Sequence, residues 1–301
     1  MAKNTYNPNP LTGILDKLYH KFSPEPLSEE DGIKTIREKI ESNKPFMASR
    51  IGSTELQILS YIKLYPFLFP LKRRTYYNIQ YASGFFPVTL KNLRKFYNLY
   101  KEDVKQLDIL ITWRFEELFF KKWFGKAPHV DKDNFDNFFE QKSPWTQSLA
   151  GKKVLVVSPF AQTIESQYYT KRDKLYKNPL VLPEFKSICT VKAVQSVAAE
   201  EVPYDSWFDA LQWMKDEIDK CDYDIALLGC GAYAFPLAAH IKRKGKQAIH
   251  MGGVTQFLFG IRGKRYDESE LYSPYINEYF VYLSASDKPK NAAAVEGGCY
   301  W

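Results

Sequence analysis

Within six residues, Arg50-Ile-Gly-Ser-Thr-Glu55 brings together a guanidinium, a glycine, two hydroxyls and a carboxylate. A carboxylate one turn into a helix that opens on a cleft can hold a metal, orient a sugar hydroxyl or act as a base. It can equally be an acidic first turn that favours the helix dipole. Three further segments have the form of turns whose backbone amides face an anion: Ser158-Pro-Phe160, Gly229-Cys-Gly231 and Gly252-Gly253. Gln167, in the helix expected after the second of these, adds an amide. Arg262-Gly-Lys-Arg265 follows the last turn on a short loop that can fold over a diphosphate or stand as plain surface. Arg262 and Arg265 would offer bidentate forks there and Lys264 a point charge.

Several chemistries are disfavoured by the same residues. The Gly229-Cys-Gly231 turn has Ala234 where a third glycine of the dinucleotide fingerprint would stand, and the next strand ends in His250 rather than in a ribose-binding acid. His240 and His250 have no Cys or His at metal-ligand spacing, which argues against structural zinc. Four widely separated cysteines, with no CxxC pair, suit a reducing compartment rather than a disulfide framework.

Composition is that of a folded chain, with 45% hydrophobic and 26% charged residues. The net charge of +7 is unevenly spread: Ile225 to Tyr266 holds seven Lys and Arg and no Asp or Glu, around two glycine turns. That concentration points to a diphosphate-bearing small ligand more than to nucleic acid, and the basic, aromatic segment 72–126 lacks a known nucleic-acid motif. The Lys242–Lys246 cluster reads as a solvated helix end matched to its dipole. The apolar stretch Ala226–Ala239 is too short to span a bilayer and contains Gly229, Gly231 and Pro236. The reading is a cytoplasmic protein, with peripheral membrane contact left open.

The elements that must position these groups follow from periodicity. Ser28 caps a helix with Ile33, Ile36 and Ile40 on one face, which Pro45 closes. Strand, tight turn and helix then run through Phe46–Ile51, Gly52 and Ser53 onward. A helix is expected at Val88–Tyr100, a strand at Leu107–Trp113, and a boundary at Gly151-Lys152-Lys153, where the stretch 131–150 of little apolar periodicity ends. Val154–Phe160 reads as a strand buried on both faces, followed by a helix to Leu175. Val181–Leu182 and Cys189–Val191 are short candidate strands. Helix Trp207–Lys220, strand Asp224–Leu228, helix Phe235–Lys244 and strand Gln247–Met251 complete a βαβ series. The fold class is therefore α/β, a Rossmann-like parallel sheet flanked by helices. An arm occupies 1–30, with a short helix at Leu11–Phe22. One α/β domain covers 31–301, its first part (31–150) carrying Glu55 and its second (151–301) the Rossmann-like series. The aromatic tail ending in Tyr300-Trp301 is expected to dock on the fold, with Glu296 near the cleft or the tail acting only as a packing anchor.

Ser49-Arg-Ile-Gly-Ser-Thr-Glu-Leu56 resembles the Arg-aromatic-Gly-Asp-Gly-Glu motif of the GT-D type glycosyltransferases. Gly151–Phe160, Leu228–Ala239 and Gly245–Gly252 are similar to that family's middle strand and closing βαβ segment, the last having the form Gly-x-Gln-Ala-x-Asp-x-Gly. The matches span residues 46 to about 260 over some thirty positions. What the resemblance implies is a GT-D-like architecture and a glycosyltransferase that moves a sugar from a nucleotide donor, commonly a UDP-sugar, to a glycan or polysaccharide acceptor. An Asp-x-Glu pair would handle donor and metal. Carried over, that pair falls on Ser53 and Glu55, and His250 replaces a second aspartate, so dependence on Mn or Mg is in doubt and Glu55 alone remains as a metal-ligand candidate. Glu55 is the candidate catalytic residue. Arg50, Gly52, Ser53, Ser158, Phe160, Gln167, Gly229, Gly231, His250, Gly252, Gly253, Arg262, Lys264 and Arg265 are the candidate donor-binding residues. The alternative is a non-catalytic nucleotide- or glycan-binding module on the same fold.

Overall fold

Short apolar runs buried on both faces organise the molecule. In the computed structural model, which describes residues 23–64, 73–284, 287–292 and 296–301, seven strands form one parallel sheet. They are β1 (Phe46–Ser49), β2 (Ile109–Thr112), β3 (His129–Asp131), β4 (Lys153–Ser158), β5 (Ser187–Lys192), β6 (Ile225–Leu228) and β7 (Gln247–His250), in the order β3-β2-β1-β7-β6-β4-β5. The expected Leu11–Phe22 helix and most of the arm lie outside the described residues.

Successive side chains of a strand face opposite sides, so each strand feeds two cores. Leu155 and Val157 of β4 join Ala226 and Leu228 of β6, Met47 and Leu110 on one face; Val154, Val156, Ile225, Leu227, Ala48, Ile109 and Ile111 pack on the other. Burial on both faces explains why the strands read as continuous apolar runs rather than as alternating ones. The first face is covered by the helices Ser53–Leu64 (α2), Leu90–Asp103 (α4), Trp207–Asp219 (α6) and Ala234–Arg243 (α7), with Arg73–Tyr81 (α3) beside α2. Glu29–Glu41 (α1), Ala161–Leu175 (α5), the segment 132–149 and Val254–Leu258 (α8) cover the second. Caps match the sequence signals: Ser28 Oγ accepts from the Asp31 N–H and Ser206 Oγ from the Asp209 N–H.

Two expectations are corrected. Val181–Leu182 is a turn closed by the Val181 N–H to Asn178 O, since Pro183 cannot donate to a ladder. Both side chains are buried, which is what made the pair look like a strand. The stretch 131–150 before the expected boundary is packed core despite its weak periodicity: Phe135, Phe138 and Trp145 are fully buried, with Trp145 stacked on Phe135 at 4.9 Å between ring centroids. Short helical turns bury aromatics without a 3.6-residue repeat, so periodicity does not register them. β1 pairs with β7 in register, Met47 opposite Ala248, so the sheet runs without a break through both parts of the chain.

Among the described residues no helix is long and apolar enough to cross a membrane.

Candidate functional site

Loops leaving neighbouring strands diverge here. After β4 the chain enters α5 on one face, whereas after β6 it enters α7 on the other; β1 and β7, side by side, diverge in the same way into α2 and α8. Crevices open where neighbouring loops part, beyond the carboxyl ends of the strands, and ligands of open α/β sheets bind there. A cavity of about 330 Å³ fills this position. Every strand contributes: Arg50 and Gly52 to Glu55 follow β1, Trp113 follows β2, Lys132 β3, Pro159 and Phe160 β4, Val194 to Val197 β5, Gly229 to Tyr233 β6, and Gly252 and Gly253 β7.

The carboxylate end is built on α2. Glu55 is buried in the first turn, and its side chain folds back over Gly52, where an added Cβ would come within 2.9 Å of Glu55 Cδ. A side chain at 52 would therefore displace the Glu55 carboxylate. Tyr100 faces the same cavity with its hydroxyl donating to Ala232 O at 3.1 Å; burial first, then the nearby Glu55 charge, pushes its phenol well up. Trp113 closes the turn from the β2 side, its indole N–H donating to Ile51 O at 3.0 Å. Glu117 holds that loop by accepting from the Trp113 and Arg114 N–H groups.

The cationic end is built around β7 and β3. Arg50 is buried, donating through Nη1 to both Asp136 oxygens at 3.1 Å and through Nη2 to Met251 O. Lys132 Nζ reaches the same carboxylate at 2.9 Å, so one buried acid is shared by two cations. Gly252 has φ +65° and lies under the Arg50 guanidinium, with Cζ 2.8 Å from where a Cβ would be. Only glycine satisfies both the left-handed backbone and the close approach. Gly253 lies under Arg265, whose guanidinium stacks on the Tyr300 ring at 4.5 Å. Glu55 is the only acid among the described lining residues, against the three cations Arg50, Lys132 and Arg265.

His250 adds no fourth charge. Its Nδ1 lies 3.0 Å from Arg50 O, and because a carbonyl only accepts, Nδ1 carries the proton and the lone pair is left on Nε2. Burial, reinforced by the Arg50 charge, lowers its pKa to about 3, so the ring is neutral at physiological pH.

The structure brings together most residues singled out from sequence. Arg50, Gly52, Ser53, Glu55, Ser158, Phe160, Gly229, Gly231, His250, Gly252, Gly253 and Arg265 line one cavity. Three lie elsewhere. Gln167 is buried against the turn that follows α8, donating to Gly260 O and Tyr279 O at 3.1 and 2.9 Å. Arg262 pairs with Asp267 at 2.9 Å and stacks on Tyr282, and Lys264 lies 3.8 Å from Glu268. The basic helix end is likewise matched by acids: Lys242 to Asp108, Arg243 to Asp103 and Lys244 to Asp219.

Residues missed from sequence include Trp113, Lys132, Gln195 and Gln256. The aromatic tail does return to the fold: Tyr300 and Trp301 line the cavity, with Gln256 Nε2 donating to Tyr300 O at 2.8 Å and the Arg265 N–H to Cys299 O at 3.0 Å. The Glu296 side chain lies outside the described residues.

The donor set does not suit a divalent ion. Such ions want several carboxylate or carbonyl oxygens, but Ser53 supplies a hydroxyl, His250 a neutral ring, and Asp136 is already spent on two cations. Among the described residues no group of three or more His, Cys, Asp or Glu is arranged to hold a metal.

Comparison with known proteins extends the motif reading. The family model of the GT-D fold-like domain matches residues 133–258, which bears out the resemblance for the segment from β4 to β7 and supports a glycosyltransferase. No curated protein matches the chain. Among solved structures, a domain of unknown function 1792, described as having a distinct glycosyltransferase fold, is 13% identical, covering 86% of this chain and 96% of its own, with a TM-score of 0.41. A structure described as a new glycosyltransferase of that domain type from Streptococcus sanguinis is 13% identical, covering 87% and 95%, with a TM-score of 0.39. Neither likeness carries a functional argument at these scores.

Proposed function

We propose that the chain is a nucleotide-sugar glycosyltransferase that moves a sugar from a donor of the UDP-sugar type to a hydroxyl of a glycan acceptor, without a divalent metal. One observation carries this reading: a cavity at the carboxyl ends of all seven strands sets a single carboxylate, Glu55, against three cations and two glycine turns. The diphosphate lies against Arg265, Lys132 and the amides near Gly252 and Gly253, where fixed charges and dipoles stabilise the charge that builds on the leaving group. In the transfer the bond from the sugar's anomeric carbon to the phosphate oxygen breaks, and the diphosphate leaves with the electron pair. A bond from that carbon to the acceptor oxygen forms, and Glu55 takes the acceptor's proton.

Ser53 in place of the family's aspartate favours a second reading, a module that binds the nucleotide and does not turn it over. Calorimetry with UDP in EDTA, followed by a donor-consumption assay with a panel of UDP-sugars and glycan acceptors, separates the two. The transferase reading expects saturable metal-free binding and acceptor-dependent release of UDP. Binding without turnover supports the module, and no binding with or without Mn²⁺ sinks both.

A further inference from the structure

Away from the cavity, two cysteines distant in sequence meet side by side. Cys189 lies in β5, and Cys221 follows the end of α6. Their Sγ atoms are 2.8 Å apart and both residues are half-buried against the core face that α6 covers. Among the described residues, Cys221 Sγ also approaches Glu217 O at 3.7 Å. β5 is the last strand in the sheet order, paired with β4 along one side only. An edge strand is held by the ladder along one side only, so a tie to its covering helix adds a constraint the sheet does not supply.

We propose that Cys189 and Cys221 form a reversible disulfide that staples the edge strand β5 to the end of α6, closing a loop of 32 residues, with a small-molecule disulfide such as oxidised glutathione as the oxidant. The sequence carries no disulfide framework, and a single pair of this kind is a redox-dependent staple rather than a structural scaffold.

The exchange balances in two displacements. The Cys189 thiolate attacks one sulfur of the oxidant, forming a mixed disulfide and releasing one glutathione thiolate, which takes the Cys221 proton. The Cys221 thiolate then attacks the Cys189 sulfur and expels the second glutathione as a thiolate, which takes up the proton that Cys189 gave to solvent on ionising. Two protein thiols are oxidised and one glutathione disulfide is reduced to two thiols. Burial, with Cys189 beside it, pushes the Cys221 thiol up to about 12, which makes Cys221 a poor first nucleophile and suits it to the resolving step.

The test is incubation of the full chain with oxidised glutathione, read by thiol titration in denaturant, by peptide mapping and by melting temperature. The free thiols are expected to fall from four to two, with a peptide linking Cys189 to Cys221. Closing a loop of this length should raise Tm by about 5 °C or more, reversed by dithiothreitol. The Cys221→Ser variant should instead hold a glutathione adduct on Cys189 and show no gain in Tm. Four thiols remaining, or adducts on Cys299 with no linked peptide, would overturn the proposal.

Discussion

Gly52 and Gly252 follow neighbouring strands, β1 and β7, and each lies under the end of a charged side chain, yet they are glycines for different reasons. Above Gly52 is the Glu55 carboxylate, which belongs to the next helical turn, and the backbone there has no left-handed torsion. Above Gly252 is the Arg50 guanidinium, which is buried and fixed by Asp136 and Met251 O, and the glycine itself has φ +65°. The first turn holds a side chain that can give way; the second is part of the framework. The carboxylate end of the cavity is therefore where function can be altered with the fold intact, and the cationic end is where the two are coupled.

Removing the carboxylate that ties the cationic end should have the largest effect. Asp136→Ala leaves Arg50 and Lys132 without their shared acid, and loss of one partner of a buried pair costs about 3–5 kcal/mol. Urea unfolding should show this as a lower midpoint, and a change under 1 kcal/mol would place Arg50 outside the framework. The two glycines give the direct contrast. Gly252→Ala adds left-handed strain of about 1–2 kcal/mol to a clash with a fixed guanidinium. Gly52→Ala should lose less than about 1 kcal/mol while displacing Glu55, so turnover falls and melting hardly moves. Equal destabilisation by both substitutions would erase the distinction.

The third effect is one of pH. His250 is neutral in the folded chain, with its pKa near 3, and protonates near pH 6.5 once unfolded. Between these values the unfolded state binds more protons, so stability present above pH 6.5 is lost as pH falls. The loss should be about 2 kcal/mol by pH 5. His129 and His240, both lowered chiefly by burial, act in the same direction. Denaturation midpoints from pH 7 to 5 should flatten in His250→Asn, whose side-chain amide can still donate to Arg50 O. An unchanged slope would assign the acid sensitivity to other groups. The smallest change should come from Ser53→Asp combined with His250→Asp, which puts carboxylates where the GT-D type pattern has them, on the same cavity as Glu55, and should make UDP binding respond to Mn²⁺. Binding indifferent to Mn²⁺ would mean that the missing acids are not what keeps metal out.

The glycine turns were legible because strand-ending glycines carry their meaning locally: Gly52, Gly229 and Gly252 each close a buried apolar run. Arg262 and Lys264 were misread because the acid-free stretch ends at Tyr266, one residue short of Asp267 and Glu268, which hold them. Lys132 was invisible for the opposite reason. Its role comes from Asp136 and, through it, from Arg50, 82 positions earlier in the chain, a relation that no periodicity carries. Gln167 shows the remaining difficulty: an amide one helix into a site motif reads the same whether it faces a ligand or satisfies the carbonyls of a buried turn.

The central claim rests on Glu55, and Glu55→Gln tests it most directly because the amide keeps the size of the side chain over Gly52. UDP binding by calorimetry in EDTA should stay within a few fold of the parent chain, while acceptor-dependent UDP release falls about 10²- to 10⁴-fold, the range expected for loss of a general base. Release at the parental rate, with binding intact, would contradict the assignment.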